Sequence, residues 1–187
     1  MRFSFLMLIA MLLPASLGAA QSTRVVLFAP FDPTGLRANL KVTATVHGTC
    51  WIESLASSRP DAWRCMVGKG NSIYDPCFSN EDRTRVACSE GLFSNRVLVI
   101  VLNKALARRE GSSERDPWAL RLSNGARCMF VTGATDVIAG MRLNYACNTG
   151  GWVLGDPNRS KEPWRVYYAP DIQKSDYVET SVLEAML

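Results

Sequence analysis

Histidine is nearly absent from this chain, which has one, His47, among 187 residues. Zinc sites usually combine closely spaced cysteine pairs or several histidines, and none of the six cysteines here forms a C-x-x-C pair. Any Ser-His-Asp or Cys-His mechanism would have to use His47, which lies beside Gly48 at the end of an alternating segment. The sequence therefore favours a protein without catalytic residues, metal or cofactor.

Charge of one sign is not concentrated either. Lys and Arg total 21 against 17 Asp and Glu, a net charge of +4, and we expect no nucleic-acid partner because no basic face or recognised module is present. The middle third is rich in arginine, but acids interleave with the arginines, which is typical of a solvated face or loop. These arginines are Arg83, Arg85, Arg96, Arg108, Arg109, Arg115, Arg121 and Arg127.

A long hydrophobic run is missing beyond the first residues. Phe3 to Leu13 is apolar and follows Arg2, and the small residues Gly18 and Ala20 fit a peptidase cut before Gln21. The run is too short for a spanning helix, so we expect no integral membrane span in the mature chain. The sequence predicts a signal peptide at residues 1–20, a single β-rich domain at residues 21–187, and a secreted or periplasmic protein.

All six cysteines lie beyond the predicted signal peptide and would meet an oxidising compartment. Their even number and wide spacing predict three disulfides, for which fifteen pairings are possible. Nearest-neighbour closure is the simplest and agrees with the hairpins described below. We therefore expect the pairs Cys50 with Cys65, Cys77 with Cys88, and Cys128 with Cys147.

Short apolar segments punctuated by Gly, Pro and Asn predict strands, and no long amphipathic helical period follows residue 20. Arg96 to Leu102 is apolar without interruption after its first residue, which predicts a central strand covered on both faces. Leu40 to Val46 alternates, as a strand with one wet face does. Further strands are predicted at Arg24 to Ala29, Trp164 to Ala169 and Tyr177 to Leu183.

Two hairpins are also predicted. Asn124-Gly125 favours a two-residue type I′ turn between short runs. The register of such a turn would place Leu120, Leu122 and Met129 on one face of the hairpin and Cys128 on the opposite face. In that register the Cys128 bridge would reach a second layer. The second hairpin joins Met141 to Cys147 with Trp152 to Leu154. The fold class is mainly β: a compact antiparallel β-sandwich or barrel-like domain with disulfide-stapled loops and little helix. Lys104 to Asp116 is expected to be the most mobile internal loop, with a short helix over Lys104 to Glu110.

Several segments together resemble an uncharacterised family of exported bacterial domains, over roughly Gly48 to Tyr167. They are Cys50-Trp51, Ser54-Leu55-Ala56, Arg59-x-Asp61-Ala62-Trp63-Arg64-Cys65, Asn71-x-Ile73-x-Asp75-Pro76-Cys77-Phe78, Asn124-Gly125-x-Arg127-Cys128, Thr132-Gly133-Ala134-Thr135, Arg142-Leu143-Asn144-Tyr145-x-Cys147 and Leu154-Gly155-Asp156-Pro157-x-Arg159-Ser160. The resemblance implies a cysteine-containing extracytoplasmic module of bacterial origin and transfers no activity or cofactor. Lys104 to Glu114 is more charged than the family pattern, and any shared binding surface near it is in doubt.

Paired carboxylates are the other route to catalysis, and the candidates are Glu53, Asp61, Asp75 and Asp156. Such acids are common on any surface, and Asp before Pro, as at Asp75 and Asp156, is typical of turns. Calcium would need about six oxygen ligands, of which Asp156 and Asn158 supply two. Asn158-Arg159-Ser160 is a glycosylation sequon in a host that glycosylates exported chains.

The five tryptophans invite a carbohydrate-binding interpretation, but most are expected in the core, with Trp51 and Trp63 packed near bridged cysteines. Trp152 is the tryptophan expected to be exposed, because it follows Gly150-Gly151. The candidate binding surface consists of Trp152, Tyr145, Asn144 and Asp156.

These observations favour an exported, disulfide-stabilised binding or interaction domain, without catalysis, for an unknown protein or cell-envelope ligand. One alternative is a small secreted hydrolase that uses carboxylates or His47. Another is an inhibitor or immunity-type protein with a protruding loop at Lys104 to Asp116.

Overall fold

A computed structural model describes residues 22–68, 72–112 and 116–187, so the predicted signal peptide at 1–20 lies outside the described residues. These residues form fifteen strands and one 3-10 turn at Ile172–Lys174, with no α-helix, which confirms the mainly β prediction. The strands are β1 (Arg24–Val26), β2 (Phe31–Asp32), β3 (Gly35–Leu36), β4 (Lys41–Glu53), β5 (Ala62–Val67), β6 (Ser72–Ser79), β7 (Arg85–Ser89), β8 (Arg96–Leu102), β9 (Ala119–Leu122), β10 (Arg127–Phe130), β11 (Val137–Ile138), β12 (Met141–Cys147), β13 (Trp152–Asn158), β14 (Arg165–Ala169) and β15 (Val178–Met186).

Strands β4 to β8 form a closed barrel, which we call the N-terminal barrel. Its consecutive strands pair antiparallel, and the parallel pairing of β4 with β8 closes it. The small hairpin of β2 and β3 pairs only with itself among the described residues.

The remaining strands form a second ring, the C-terminal barrel. Its order is β9-β10-β12-β13-β14-β15, and the antiparallel pairing of β15 with β9 returns the sheet to its start. Strand β1 adds to β15 in parallel, and β11 adds to β12. The predicted barrel-like architecture is therefore present twice, with two parallel pairs among otherwise antiparallel ones.

The core divides along the alternation of side chains in these strands. Leu98 and Ile100 of β8 point into the N-terminal barrel with Trp63 and Val86. Their neighbours Val97 and Val99 belong to a second cluster with Phe28, Phe78, Ala87, Trp118 and Met186, which joins the two barrels. A third cluster fills the C-terminal barrel with Leu120, Leu122, Cys128, Tyr145, Val153, Val166, Tyr168 and Val182. After Arg96, strand β8 is apolar and is buried on both faces, as its sequence predicts.

The three disulfides are the pairs that nearest-neighbour closure predicts: Cys50–Cys65, Cys77–Cys88 and Cys128–Cys147. In each pair the two cysteines are direct partners on adjacent antiparallel strands. Each bridge therefore joins neighbouring strands of one barrel. The expectation that Cys128 reaches a second layer is wrong, because its partner lies on the adjacent strand β12.

The predicted register of the first hairpin is also wrong. Cys128 pairs with Leu120 rather than with Arg121, so the Cys128 side chain lies inside the barrel with the leucines. The connection has three residues, because the N–H of Leu122 donates to the carbonyl of Ala126 and Gly125 takes a φ of 86°. A three-residue loop ending in a left-handed glycine shifts the register by one and exchanges the two faces.

Candidate functional site

A cleft of about 690 Å³ lies between the two barrels and is the largest of the described cavities. The N-terminal barrel supplies Glu53 at the end of β4 and the loop 54–58 that follows it. The C-terminal barrel supplies Phe130 from β10, Arg142 and Asn144 from β12, and Asp156 from β13. Arg109, Glu110, Ser112 and Asp116, from the connection between the barrels, complete the lining.

Ser54 and Asp75 organise the loop at the floor of this cleft. The Ser54 hydroxyl donates to Asp75 and accepts the N–H groups of Ala56 and Ser57, both at 3.0 Å. Asp75 also accepts the Leu55 N–H at 3.1 Å and Arg64 at 3.3 Å. Burial raises the pKa of the Asp75 carboxyl, against the opposing effect of these donors. The Asp75 side chain, 3% exposed, acts here as a structural anchor for the loop.

The two arginines that line the cleft donate hydrogen bonds to other groups of the protein. Arg142 donates to Asn144 and to the carbonyls of Val131 and Gly133 at 2.7–2.8 Å. Arg109 donates to the Ala62 carbonyl and forms an ion pair with Glu53.

The acids of the cleft are less engaged. Asp156 accepts the Asn144 amide at 2.8 Å, and Asp116 pairs with Arg159 at 2.7 Å in an exposed ion pair. Glu110 has no hydrogen-bond or ion-pair partner among the described residues. Among the described residues, the carboxylates of Glu110 and Asp156 therefore keep the most acceptor capacity in the cleft.

The connection after β8 runs across the end of the N-terminal barrel. The Leu106 N–H donates to the Arg83 carbonyl at 2.9 Å, and the Arg83 side-chain Nε–H donates to the Leu106 carbonyl at 2.8 Å. The Leu106 side chain packs against the core of the N-terminal barrel. The Arg109 guanidinium lies 5.2 Å from the centre of the Trp63 ring. The Ser112 N–H donates to the Ser58 carbonyl at 3.3 Å. We call residues 103–112 the strap.

The strap corrects one expectation and bears on another. The short helix predicted over Lys104 to Glu110 does not form, because these residues follow the barrel surface without regular structure. The loop predicted to protrude is anchored to the barrel over its described part, up to residue 112, while residues 113–115 of that prediction lie outside the described residues.

The four residues of the predicted binding surface do not share one surface. Asp156 is exposed in the cleft, and Asn144, 7% exposed, contacts it. Tyr145 is fully buried in the C-terminal barrel, where its hydroxyl donates to the Pro117 carbonyl at 2.8 Å, so it cannot contact a ligand. Trp152 is half-buried against a separate cluster with Leu143 and Leu154.

The exposed tryptophan is Trp51, with 51% of its surface accessible, and not Trp152. Trp51 lies on β4 with Arg64 6.0 Å from its ring centre, while Trp63 packs with Cys65, Cys77 and Cys88 as expected. Sequence reasoning missed Arg109, Arg142 and Phe130 as cleft residues. The only signal was the arginine-rich middle third, which pointed to a solvated face.

The candidates for catalysis are dispersed. His47 is exposed in the middle of β4 and forms no hydrogen bond with another of the described residues. Asp61 forms a two-bond pair with Arg59 away from the cleft, at 2.9 and 2.5 Å. Glu53 and Asp156 line the same cleft from opposite barrels.

Within the described ranges, no three His, Cys, Asp or Glu side chains are grouped closely enough to hold a metal ion. None of the described residues forms a helix with the length and hydropathy needed to span a bilayer. Comparison with protein-family models, curated proteins and solved structures found no match.

Proposed function

We propose that the protein is an exported, disulfide-stabilised binding domain that acts in the cell envelope or the extracellular space and holds its ligand in the cleft between its barrels. The observation that carries this proposal is the cleft itself, a cavity of about 690 Å³ lined from both barrels. Binding sites favour such concave places between rigid units, where a few polar groups orient the ligand.

Three disulfides buried within a small β protein support export, because such bridges persist in oxidising compartments. The predicted signal at residues 1–20 and the resemblance to exported bacterial domains point to the same destination.

The chemistry of the cleft favours a ligand rich in hydrogen-bond donors. The Arg109 and Arg142 guanidiniums already donate to protein carbonyls, an amide and a carboxylate, whereas Glu110 has no partner within the described part of the chain and Asp156 accepts one amide. A ligand that brings N–H or O–H groups would complete these acceptors, since unsatisfied carboxylate oxygens bond donors strongly. Cationic peptide segments and hydroxylated envelope polymers share this chemistry.

The alternatives receive less support. A carboxylate hydrolase would use Glu53 and Asp156, but the Glu53 carboxylate is already paired with Arg109. An inhibitor that acts through its central loop would need that loop to protrude, and the strap is instead anchored through residue 112.

The test compares the oxidised protein with a cleft variant as bait for material from its own cell envelope. Glu110→Gln with Asp156→Asn removes two cleft charges and keeps the side-chain shapes. Glu81→Gln with Asp176→Asn removes two exposed charges outside the cleft and serves as the matched control. We expect one stoichiometric ligand that the control retains and the cleft variant loses at least tenfold.

Equal capture by both variants would place binding elsewhere and reject the cleft. Turnover of an envelope polymer by the wild-type protein, abolished in the cleft variant, would replace the binding proposal with the hydrolase. The same baits in reduced form give a further check, because loss of the disulfides should weaken capture by loosening both walls of the cleft.

A further inference from the structure

Strand β4 is the most exposed long strand of the molecule. None of its 13 residues is buried, whereas five of the seven residues of its partner β8 are buried. A strand within a closed barrel normally buries alternate residues, so this exposure needs a structural reason.

The reason is that each half of β4 pairs with another strand along only one of its two edges. Residues 41–47 pair only with β8, and residues 49–53 pair only with β5. Gly48 alone has partners on both sides, Val67 and Leu102. Along residues 41–47, the edge that faces away from β8 therefore meets no strand among the described residues.

Such an edge presents alternate backbone N–H and C=O groups to solvent and can accept an additional strand. A groove of about 320 Å³ begins at Val42 and Thr45 of β4 and extends over β8 and β7, where Phe31, Leu36, Arg85, Val99 and Val101 line it. Side chains on one face of an added strand would lie beside Val42 and Thr45 at the border of this groove, and such side-chain contacts give strand addition its specificity.

The charges around this edge are positive. Lys41 and Arg96 are register partners at one end of the segment, and neither has an ion-pair partner among the described residues. At the other end, His47 and Arg85 are both partners of Val101, and Arg85 has Asp82 nearby. The four side chains are exposed.

From the open edge and the surrounding positive charge, we propose that residues 41–47 of β4 accept an extended acidic segment of a partner protein as an additional strand. The backbone edge supplies the hydrogen bonds, Val42 and Thr45 contact one row of apolar side chains, and Lys41 and Arg96 pair with acidic residues of the added strand. This surface is separate from the cleft, so it does not depend on the function proposed for the cleft.

A second copy of this chain is the competing occupant. Residues Val42 to Val46 read the same in both directions, so two copies would pair antiparallel about Ala44 with like residues opposed. That arrangement would set Lys41 of each copy against His47 of the other, and would bring Lys41 and Arg96 of one copy towards Arg85 of the other. An acidic partner avoids this repulsion, which is why we favour it.

The test uses a fluorescent synthetic peptide, EVTVEVTE, with two controls: the basic peptide KVTVKVTK and an EVTVEVTE peptide with alternate amides N-methylated. We expect saturable binding of the acidic peptide, with both controls at least tenfold weaker, because one has the wrong charge and the other lacks the backbone donors. Amides of residues 42–46 should exchange more slowly with solvent when the acidic peptide is bound.

Lys41→Glu with Arg96→Glu should weaken binding of the acidic peptide about tenfold, through the loss of two exposed charge pairs and new repulsion. The same variant should strengthen binding of KVTVKVTK. Arg127→Glu with Lys174→Glu changes the net charge equally on the other barrel and should leave both affinities unchanged.

Three outcomes would overturn the proposal. Equal binding of the N-methylated peptide would mean charge attraction without strand addition. Equal effects of the two double variants would mean that the edge is not the binding surface. A dimer in sedimentation that slows exchange of the residue 42–46 amides would assign the edge to a second copy.

Discussion

The N-terminal barrel closes through seven parallel register pairs between β4 and β8, whereas the C-terminal barrel closes through four antiparallel pairs between β9 and β15. The difference extends to the strands at each closure. Strand β4 passes from β8 to β5 at Gly48 and is exposed along its length, while β15 buries Val182 and Ala185 in the barrel it closes.

The two barrels also differ in their disulfides and in the ion pairs at their closures. Two disulfides lie in the N-terminal barrel and one in the C-terminal barrel. At the closure of the C-terminal barrel, Glu184 instead pairs with Arg24 and Arg121, both at 2.6 Å. The comparison indicates that the barrel whose closing strand is exposed depends more on sulfur, and the barrel whose closing strand is partly buried depends more on apolar packing and side-chain pairing.

Reduction of the disulfides should produce the largest difference in stability between the two barrels. Each bridge closes a loop of 11 to 19 residues and contributes about 3 kcal/mol in the chain-entropy model. Full reduction should therefore cost the N-terminal barrel about 6 kcal/mol and the C-terminal barrel about 3 kcal/mol. Hydrogen exchange of the reduced protein should show β5 to β8 unprotected while β12 to β14 remain protected.

The control for this experiment is the Cys128→Ala, Cys147→Ala variant, which removes the single bridge of the C-terminal barrel. It should lower protection in that barrel and leave the N-terminal barrel largely folded. Loss of protection in both barrels at the same denaturant concentration would mean that they unfold as one unit and that the difference in closure is not expressed in stability.

Gly48→Ala tests the residue at which β4 passes from β8 to β5. A Cβ at this position would lie 2.6 Å from the Met66 carbonyl oxygen and 2.8 Å from the Ile100 side chain, so β5 or β8 must move away. Overpacking of this kind costs about 2–3 kcal/mol. Gly133→Ala is the matched control, because a Cβ there meets no atom within 4 Å. Chemical denaturation of both variants measures the difference, and equal midpoints would show that Gly48 is not needed for closure.

Arg59→Lys tests what joins the barrels. The Arg59 guanidinium donates to the Phe28 carbonyl at 2.6 Å and the Leu187 carbonyl at 3.2 Å, and lies 4.3 Å from the centre of the Phe78 ring. Lysine keeps the charge but cannot make the planar set of bonds, so we expect a loss of about 2 kcal/mol and unfolding in two steps. Arg127→Lys, on the exposed face of β10, should change neither. A single unchanged transition would mean that the shared apolar cluster couples the barrels without Arg59.

The local features of this fold were predictable from the sequence. Continuous apolar character identified β8 with both its bounds, and hairpin spacing identified the cysteine pairs, because each bridge joins neighbours in the chain. The turn at Asn124-Gly125 was also found, but its loop length was not. A one-residue difference there reversed the faces of the hairpin.

The closures and the cleft were not predictable, since both depend on pairs far apart in the chain. Lys41 meets Arg96, and Leu122 meets Val182, with no local pattern to indicate either contact. The cleft combines Glu53 with Asp156 for the same reason. Asp156 and Asn144 were identified as candidates because they accompany Trp152 in the sequence, while Tyr145 was misplaced because strand alternation turns its side chain inward.

Acidification should affect the two barrels in opposite directions, with the smallest effect of the series. Burial would raise the pKa of Glu184, but Arg24 and Arg121 outweigh it and hold the pKa below its ordinary value of 4.5. The stability that this group contributes is therefore present above pH 4.5 and is lost as the pH falls through its lowered value.

Burial raises the pKa of Asp75 above its ordinary value of 3.8, despite Ser54, Leu55 and Arg64. The contribution of this carboxyl is therefore greatest below pH 3.8 and decreases as the pH rises through its raised value. Opening free energies from hydrogen exchange between pH 6 and pH 3, corrected for intrinsic exchange, should fall for β9 and β15 and not for β5 and β6. Glu184→Gln should remove the fall in the C-terminal barrel, and Asp75→Asn should flatten the profile of the N-terminal barrel. Parallel losses in both barrels, unchanged by either variant, would show that neither carboxyl controls the acid response of its barrel.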